Sequence, residues 1–494
     1  MNSQWIAASR FGLGARPDEA PPSDPKAWLR AQLTRFDPKP AALAAAPSRA
    51  EVAGQLADYL EEQRNAPRRA QAQPAPTMQA QPMQPAAMTT GGEAAMNDRL
   101  AGLPQSAQQF IRKAGRDYYV GAVTARANAA LVTEAPFVER LVHFWANHFA
   151  VSADKLTVIG LAGLLEMEAI RPHVLGRFED MLVAVEQHPA MLLYLDQAQS
   201  IGPDSRLGAF AAGRGRKIGL NENLAREILE LHTLGVRTGY SQADVTEFAR
   251  ALTGWTVAGL ARGPIARALG GSGAPGEFLF AEAVHEPGAR TILGKRYDQA
   301  GEAQARAVLA DLAASPATAR HLATKLARHF AADDPPPALV DRLAAAYLSS
   351  RGDLPTVYRV LIDAPEVWNA AAPKFRTPWD WSVAALRGVG TKQIQGQAVV
   401  GLMTQLGQPI WRPGSPAGYD DVAASWAGPD ALVRRVEAAE RIAGRVPNAP
   451  DARALAPKLL GDALSPATAQ ALARAESPGQ GLALLLAAPE FLRR

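Results

Sequence analysis

The chain has 494 residues, of which 48% are hydrophobic and 20% are charged, a composition typical of globular proteins. Its net charge is only +4, and the basic residues are interspersed with acidic ones, which argues against a nucleic-acid-binding surface. The sequence contains no cysteine, so disulfides, thiolate nucleophiles and cysteine-ligated metal centres are excluded.

The sequence also gives an expectation about location. No stretch approaches the roughly 18 consecutive apolar residues that a transmembrane helix needs. The first residues contain no basic segment leading into an apolar one, so no secretory signal is predicted. We therefore expect a soluble cytoplasmic protein, with a periplasmic or envelope-associated location as the alternative.

Helical patterns and turn signals divide the chain into five segments. Regular alternation of Val, Ile and Thr is nearly absent, so little strand is predicted beyond a small hairpin or loop at 285–294. The expected fold class is mainly α, with a multi-helix orthogonal or bundle-like globular core, long loops and little or no sheet. The segments are an N-terminal helical segment packing on the core (1–64), a disordered Gln/Pro/Ala/Met-rich linker (65–97), a helical core region with the polar motifs (98–256), a Gly-rich insertion and loop (257–298), and a C-terminal helical region (299–494).

The first polar motif lies on a predicted helix that reads FVERLVHFWANHF at 137–149. Glu139, His143 and Asn147 recur every four residues and form one stripe, in which His143 is a natural partner of Glu139. His148 lies nearly opposite, among apolar residues, and we interpret it as a core histidine bonded to a backbone carbonyl.

The second polar motif reads NENLAREILELHTLG at 221–235. Glu222, Arg226 and Glu230 lie four residues apart on one ridge of a helix, and Glu227 lies beside it. One interpretation is a solvated face, in which each ion pair contributes only about 0.2–0.5 kcal/mol. The other is a buried cluster that faces a pocket, where the carboxylates act as acids, bases or metal ligands.

Several other polar residues accompany these motifs. His232 and Asp196 join Glu139 and His148 as further candidates for a polar core. Another helix carries a basic ridge with four-residue spacing, which we interpret as solvent-exposed; its members are His321, Lys325 and His329.

A set of short motifs resembles a known bacterial family. The motifs are RFGLG at 10–14, FWANHF at 144–149, IRPH at 170–173, HPAML at 188–192, GLNENLARE at 219–227, LHTLG at 231–235, LTGW at 252–255 and GQP at 407–409. In this order they closely resemble the bacterial domain-of-unknown-function family 1800, and the resemblance covers nearly the whole chain except residues 65–97. The family has no settled activity. Its genes often accompany those of a sulfatase-like family, which implies a sulfatase-like partner and an envelope role for some members.

Two functions follow as hypotheses. The first is an enzyme in which the two polar motifs meet and perform hydrolytic or metal-assisted chemistry. Its catalytic residues would be Glu222, Arg226, Glu227, Glu230, His143 and Asn147. A divalent metal is the candidate cofactor, with Glu227, Glu230 and His143 as ligands. The alternative is a non-catalytic helical scaffold for a sulfatase-like envelope protein, with exposed Trp411 and Trp426 as contacts.

Overall fold

The computed structural model describes residues 3–70, 105–215, 219–261, 263–269, 273–370 and 374–494. The structure is 62% helical and 4% strand, which confirms the predicted mainly α class with little sheet. None of the described helices is long and apolar enough to cross a lipid bilayer.

α-Helices, most of them short, make up the first half of the described chain. They are α1 (Ser3–Ile6), α2 (Pro25–Arg35), α3 (Arg49–Ala70), α4 (Gln105–Lys113), α5 (Val120–Val132), α6 (Pro136–His148), α7 (Ala162–Leu164), α8 (Phe178–Glu186), α9 (Pro189–Tyr194), α10 (Arg206–Ala212), α11 (Asn223–Glu227) and α12 (Gln242–Leu252). Four π-helical segments adjoin them, at Ala7–Phe11, Ala114–Tyr119, Leu165–Ile170 and Ile228–His232.

The second half is again helical and includes the described strands. Its helices are α13 (Gly263–Leu269), α14 (Glu302–Ala314), α15 (Pro316–Phe330), α16 (Pro337–Ser349), α17 (Leu354–Asp363), α18 (Pro378–Gly388), α19 (Gly396–Gln405), α20 (Ala423–Trp426), α21 (Pro429–Arg445), α22 (Ala452–Leu460), α23 (Pro466–Ala473) and α24 (Pro478–Ala487). The strands are β1 (Trp255–Val257), β2 (Phe278–Phe280), β3 (Arg290–Ile292) and β4 (Lys295–Tyr297), paired antiparallel as β1–β2 and β3–β4.

Several helices of the second half begin with the same dipeptide, Ser or Thr followed by Pro. The hydroxyl accepts a hydrogen bond from a backbone N–H of the first turn, and proline fits the first helical position because its φ is already helical. Ser315 begins α15 in this way, and Thr377 begins α18 by accepting from the N–H of Asp380. The cap on α18 matters most, because it fixes the residue on which the buried charges converge.

The predicted disordered linker falls mostly on residues that the structure does not describe. Its first part differs from the prediction, because α3 continues helically to Ala70. The remainder, 71–97, lies outside the described residues.

The core is one large apolar cluster with two smaller ones. The large cluster contains residues from Trp5 through Ala463 and includes the aromatic rings of Phe11, Phe137 and Phe330. A second cluster joins α18 and α19 to the C-terminal helices, and α21 packs along α24 within it. A third, small cluster lies around Ile265.

Fully buried arginines tie the N-terminal RFGLG motif to distant helices through backbone carbonyls. Arg10 donates to the carbonyl oxygen of Val367 at 2.8 Å, and Arg140 donates to that of Gly12 at 2.8 Å. Arg387 donates to the carbonyl oxygen of Gly14 at 3.1 Å. These bonds satisfy buried donors that would otherwise cost free energy, so the motif has a structural role here.

Asp380 is a buried anion that compensates Arg140 and a further buried arginine, Arg494. Its carboxylate lies 2.8 Å from Arg140 Nη1 and 3.1 Å from Arg494 Nε. Burial alone would raise the pKa of Asp380, but the two guanidinium groups hold it well below its usual range. The carboxylate is therefore charged in the folded protein.

We predict that Asp380→Asn is strongly destabilising. The amide keeps the shape of the side chain but leaves Arg140 buried without its counter-charge and leaves Arg494 with only the more distant Asp421. Removing one member of a buried ion pair costs roughly 3–5 kcal/mol, and urea denaturation measures this loss.

The matched control is Asp341→Asn, because Asp341 pairs with Arg320 at the surface, with exposed side-chain fractions of 60% and 62%. That substitution is expected to change the free energy of unfolding by less than about 1 kcal/mol. Equal losses in the two variants would show that Asp380 has no special role.

Candidate functional site

A cavity of about 240 Å³ lies between α6, α15, the start of α18 and the loop 406–422. Its polar lining includes the cations Arg126 and Lys325, the imidazoles of His143, His148 and His329, and the carboxylate of Asp421. A concave site with several convergent ionisable groups is the usual setting for ligand binding or catalysis.

Helix α15 contributes residues to this lining that we had predicted from the sequence to be exposed to solvent. We expected His321, Lys325 and His329 to form a solvated ridge. The structure instead turns Lys325 and His329 towards the cavity, and the side chain of His329 is only 12% exposed. The ridge prediction was wrong because residues from the loop 406–422, far away in sequence, cover this face of the helix.

His329 and Asp421 form a hydrogen-bonded pair. The Nδ1 of His329 lies 2.6 Å from the Oδ2 of Asp421, and its Nε2 is buried without a hydrogen-bond partner. The carboxylate also lies 3.6 Å from Lys374 Nζ and 3.5 Å from Arg494 Nη2. Burial lowers the pKa of His329 to about 4, although Asp421 acts in the opposite direction, so the imidazole is neutral near pH 7.

Lys325 lies one helical turn before His329. Within the described part of the chain, its ammonium has no hydrogen bond and no ion pair within 4 Å. Burial lowers its pKa to about 8, and the more distant charge of Asp421 offsets only part of this effect. An unpaired cation in a cavity wall is an unfavourable arrangement that packing does not explain.

His143 lines the cavity and belongs to a buried network. The indole N–H of Trp379 donates to His143 Nδ1 at 3.1 Å, and His143 Nε2 lies 3.6 Å from Glu139 Oε1. Glu139 is also bonded to Arg171. Burial alone would raise the pKa of Glu139, but Arg171 and His143 lower it to about 2. His143 is thus held between an indole and a carboxylate.

Asn147 holds the loop that forms one wall of the cavity. Its amide nitrogen donates to the carbonyl oxygen of Tyr419, and its oxygen accepts from the backbone N–H of the same residue, both at 2.8 Å. The preceding Gly418 has a φ of +81°, and a Cβ there would lie 2.3 Å from the backbone oxygen of Asn147. The close approach therefore requires glycine.

His148 and His232 form a second buried network. The Nε2 of His148 lies 3.1 Å from the carbonyl oxygen of His232, and the Nδ1 of His232 lies 2.8 Å from Glu186 Oε1. Burial, together with the charge of Lys325, holds the pKa of His148 well below its ordinary value. Glu186 was not singled out from the sequence.

The predicted Glu222–Glu230 face lies outside the cavity. Arg226 sits 3.5 Å from both Glu222 and Glu230, with its side chain 37% exposed, and Glu222 also accepts from the hydroxyl of Thr246 at 2.6 Å. Glu227 is half-buried, and burial raises its pKa. These residues do not line the cavity that His143 and Asn147 line, so the structure does not gather the predicted catalytic set there.

Two further expectations concern metal binding and the polar core. Among the described residues, no group of three His, Asp or Glu side chains is placed to hold a metal ion, so Glu227, Glu230 and His143 do not form such a group. Asp196 lies at the surface, with its side chain 58% exposed and 2.7 Å from Lys155 Nζ, and does not belong to a polar core.

The tryptophans of the scaffold hypothesis are buried and not exposed. Trp411 is 7% exposed and Trp426 is 9% exposed. The indole of Trp411 donates to Glu166 at 3.0 Å, and that of Trp426 donates to the carbonyl oxygen of Asp420 at 2.8 Å. Neither ring is therefore available as a surface contact.

Comparison with known proteins identifies the family. A family model described as a protein of unknown function, DUF1800, matches residues 6–493. The chain therefore belongs to that family. Comparisons with curated proteins and with solved structures returned no match.

We predict that Lys325→Met stabilises the protein. The fold disfavours the charged amine, since burial lowers its pKa from 10.5 to about 8. The penalty is present in full below the folded pKa and vanishes as the pH rises through the unfolded value. The free energy of unfolding should rise by roughly 1–3 kcal/mol at about pH 6, and the gain should shrink towards zero near pH 10.5.

Chemical denaturation at both pH values measures this difference. Lys392→Met is the control, because Lys392 is 70% exposed and its ion pair, with Asp18, lies at the surface. Its effect should stay within about 0.5 kcal/mol at either pH. If Lys325→Met is less stable than the wild type at about pH 6, the claim that the Lys325 ammonium is unpaired is wrong.

Proposed function

We propose that this member of the DUF1800 family is a hydrolase in which the His329–Asp421 pair activates water inside the cavity. The observation that carries the proposal is the imidazole of His329, which faces a carboxylate at 2.6 Å on one side and has a buried, unpartnered Nε2 on the other. A carboxylate at Nδ1 holds the proton there and leaves the Nε2 lone pair as the base.

Lys325 supplies the complementary acid. It lies four residues before His329 on α15, and side chains at this spacing are neighbours on a helix. Burial places the pKa of His329 at about 4 and that of Lys325 at about 8. Between these values the base is neutral and the acid is protonated, and such separation of pKa values is typical of acid–base pairs.

The proposed step transfers one proton at each end. His329 Nε2 accepts a proton from water while the water oxygen bonds to the electrophilic centre of an ester. The bond from that centre to the leaving oxygen breaks, and the Lys325 ammonium gives its proton to that oxygen. The proton on His329 returns to Lys325 through solvent, which restores both groups.

The residues predicted from the sequence take supporting parts in this proposal. His143 is a positioning residue that holds the Trp379 side of the cavity, and Asn147 is a positioning residue for the loop that carries Asp421. The Glu222–Glu230 face has no role in the step.

We predict that His329→Gln lowers kcat by roughly 10²–10⁴-fold, because removing a general base typically has this effect. The assay is the release of p-nitrophenol from p-nitrophenyl acetate, phosphate and sulfate by the full-length protein. Asp421→Asn should also lower kcat, because an amide no longer fixes the proton on Nδ1.

The matched control for this assay is His321→Gln. His321 lies on the same ridge of α15, but its Nε2 bonds to the carbonyl oxygen of Leu231 at 3.1 Å and it does not line the cavity. This variant should retain wild-type kcat. Turnover that survives in His329→Gln, or a wild type that cleaves none of the three esters, would refute the proposal.

The pH dependence gives an independent prediction. The value of kcat/KM should rise as the pH passes the His329 pKa of about 4 and fall as it passes the Lys325 pKa of about 8. In Lys325→Met the decrease of kcat/KM near pH 8 should disappear, and kcat/KM at lower pH should be smaller than in the wild type. If the decrease near pH 8 persists in this variant, it arises from the ionisation of another group.

A further inference from the structure

The charges of the cavity wall are unevenly compensated. The carboxylate of Asp421 is engaged by His329, Lys374 and Arg494, and that of Asp380 is engaged by Arg140 and Arg494. Neither forms an ion pair with Lys325. Asp420 also lines the cavity, and among the described residues it forms no ion pair with Lys325 either.

Arg126 is the second under-compensated cation. Its guanidinium stacks on the rings of Trp379 and Trp411, with centroid distances of 4.6 and 5.3 Å, and its side chain is 10% exposed. Its one ion pair with a described residue is with Glu166 at 3.3 Å through Nε, and Glu166 also accepts from Trp411. No hydrogen bond joins Arg126 to another described residue, and its Nε–H is buried without one.

We propose that Lys325 and Arg126 bind a compact oxyanion, a phosphate, sulfate or carboxylate group, in this cavity. Both cations line this cavity, and among the described residues neither donates a hydrogen bond, while Arg126 alone has an ion pair, with Glu166. An oxyanion provides several acceptor oxygens for guanidinium and ammonium donors, and charge-assisted bonds of this kind are about twice as strong as neutral ones.

The aromatic stacking supports the same assignment. Two indoles contact the Arg126 guanidinium and restrict its motion, so little side-chain entropy is lost when it binds an anion. The cavity volume of about 240 Å³ accommodates a small anionic molecule. This proposal deepens the proposed function by naming the charged group of the substrate, but the binding itself requires no catalysis.

The test is isothermal titration calorimetry of the full-length protein with inorganic phosphate, sulfate and acetate, at about pH 7 and low ionic strength. We expect one ion per chain and an affinity that falls at least about tenfold, or ~1.4 kcal/mol, in Lys325→Met. Lys325→Arg keeps the charge and should retain binding, and the exposed Lys392→Met should bind as the wild type does.

The three anions distinguish the group that the cavity accepts. Preference for phosphate or sulfate over acetate would identify a tetrahedral oxyanion, and the reverse preference would identify a carboxylate. The absence of binding of all three ions to the wild type up to about 10 mM, or equal affinity in Lys325→Met, would overturn the proposal. The thermal midpoint of each variant confirms that it is folded.

The outcome is separable from that of the ester assay. Anion binding without turnover would leave this inference standing and refute the hydrolase. If the protein cleaves p-nitrophenyl acetate but binds none of the ions, the proposed hydrolase activity is supported and the proposed oxyanion site is overturned.

Discussion

The buried carboxylate of Asp380 is the interaction on which the structure depends. It neutralises Arg140 from α6 and Arg494 from the end of the described chain, and the Thr377 cap fixes its place at the start of α18. Arg140 in turn holds the carbonyl of Gly12. One charge thus joins segments from the beginning, middle and end of the sequence, and no apolar contact could substitute for it without removing both cations.

The same network reaches the cavity. Arg494 lies between Asp380 and Asp421, and Asp421 is the partner of His329. The guanidinium of Arg494 therefore contacts both the carboxylate that stabilises the core and the carboxylate that orients the proposed base. Lys325 represents the opposite situation, because burial lowers its pKa and no described residue forms an ion pair with its ammonium.

Much of the fold followed from local patterns, whereas the site depended on contacts between distant segments. Helical periodicity and scarce strand signals were enough to predict a mainly α protein, and the ridge formed by Glu222, Arg226 and Glu230 has the predicted spacing. The spacing of polar residues on one helix does not reveal which segment of the chain packs over that helix. His329 meets Asp421 across 92 residues of sequence, and no local signal marks that pairing.

The anchored loop has a dynamic consequence. Tyr419 and Asp421 lie within three residues of each other. Among the described side chains, only Asn147 forms hydrogen bonds with both the N–H and the carbonyl oxygen of Tyr419. Local opening there would move one wall of the cavity, next to the residue that contacts His329. Exchange of the Tyr419 amide proton with deuterium would therefore report how often this wall opens in the resting protein.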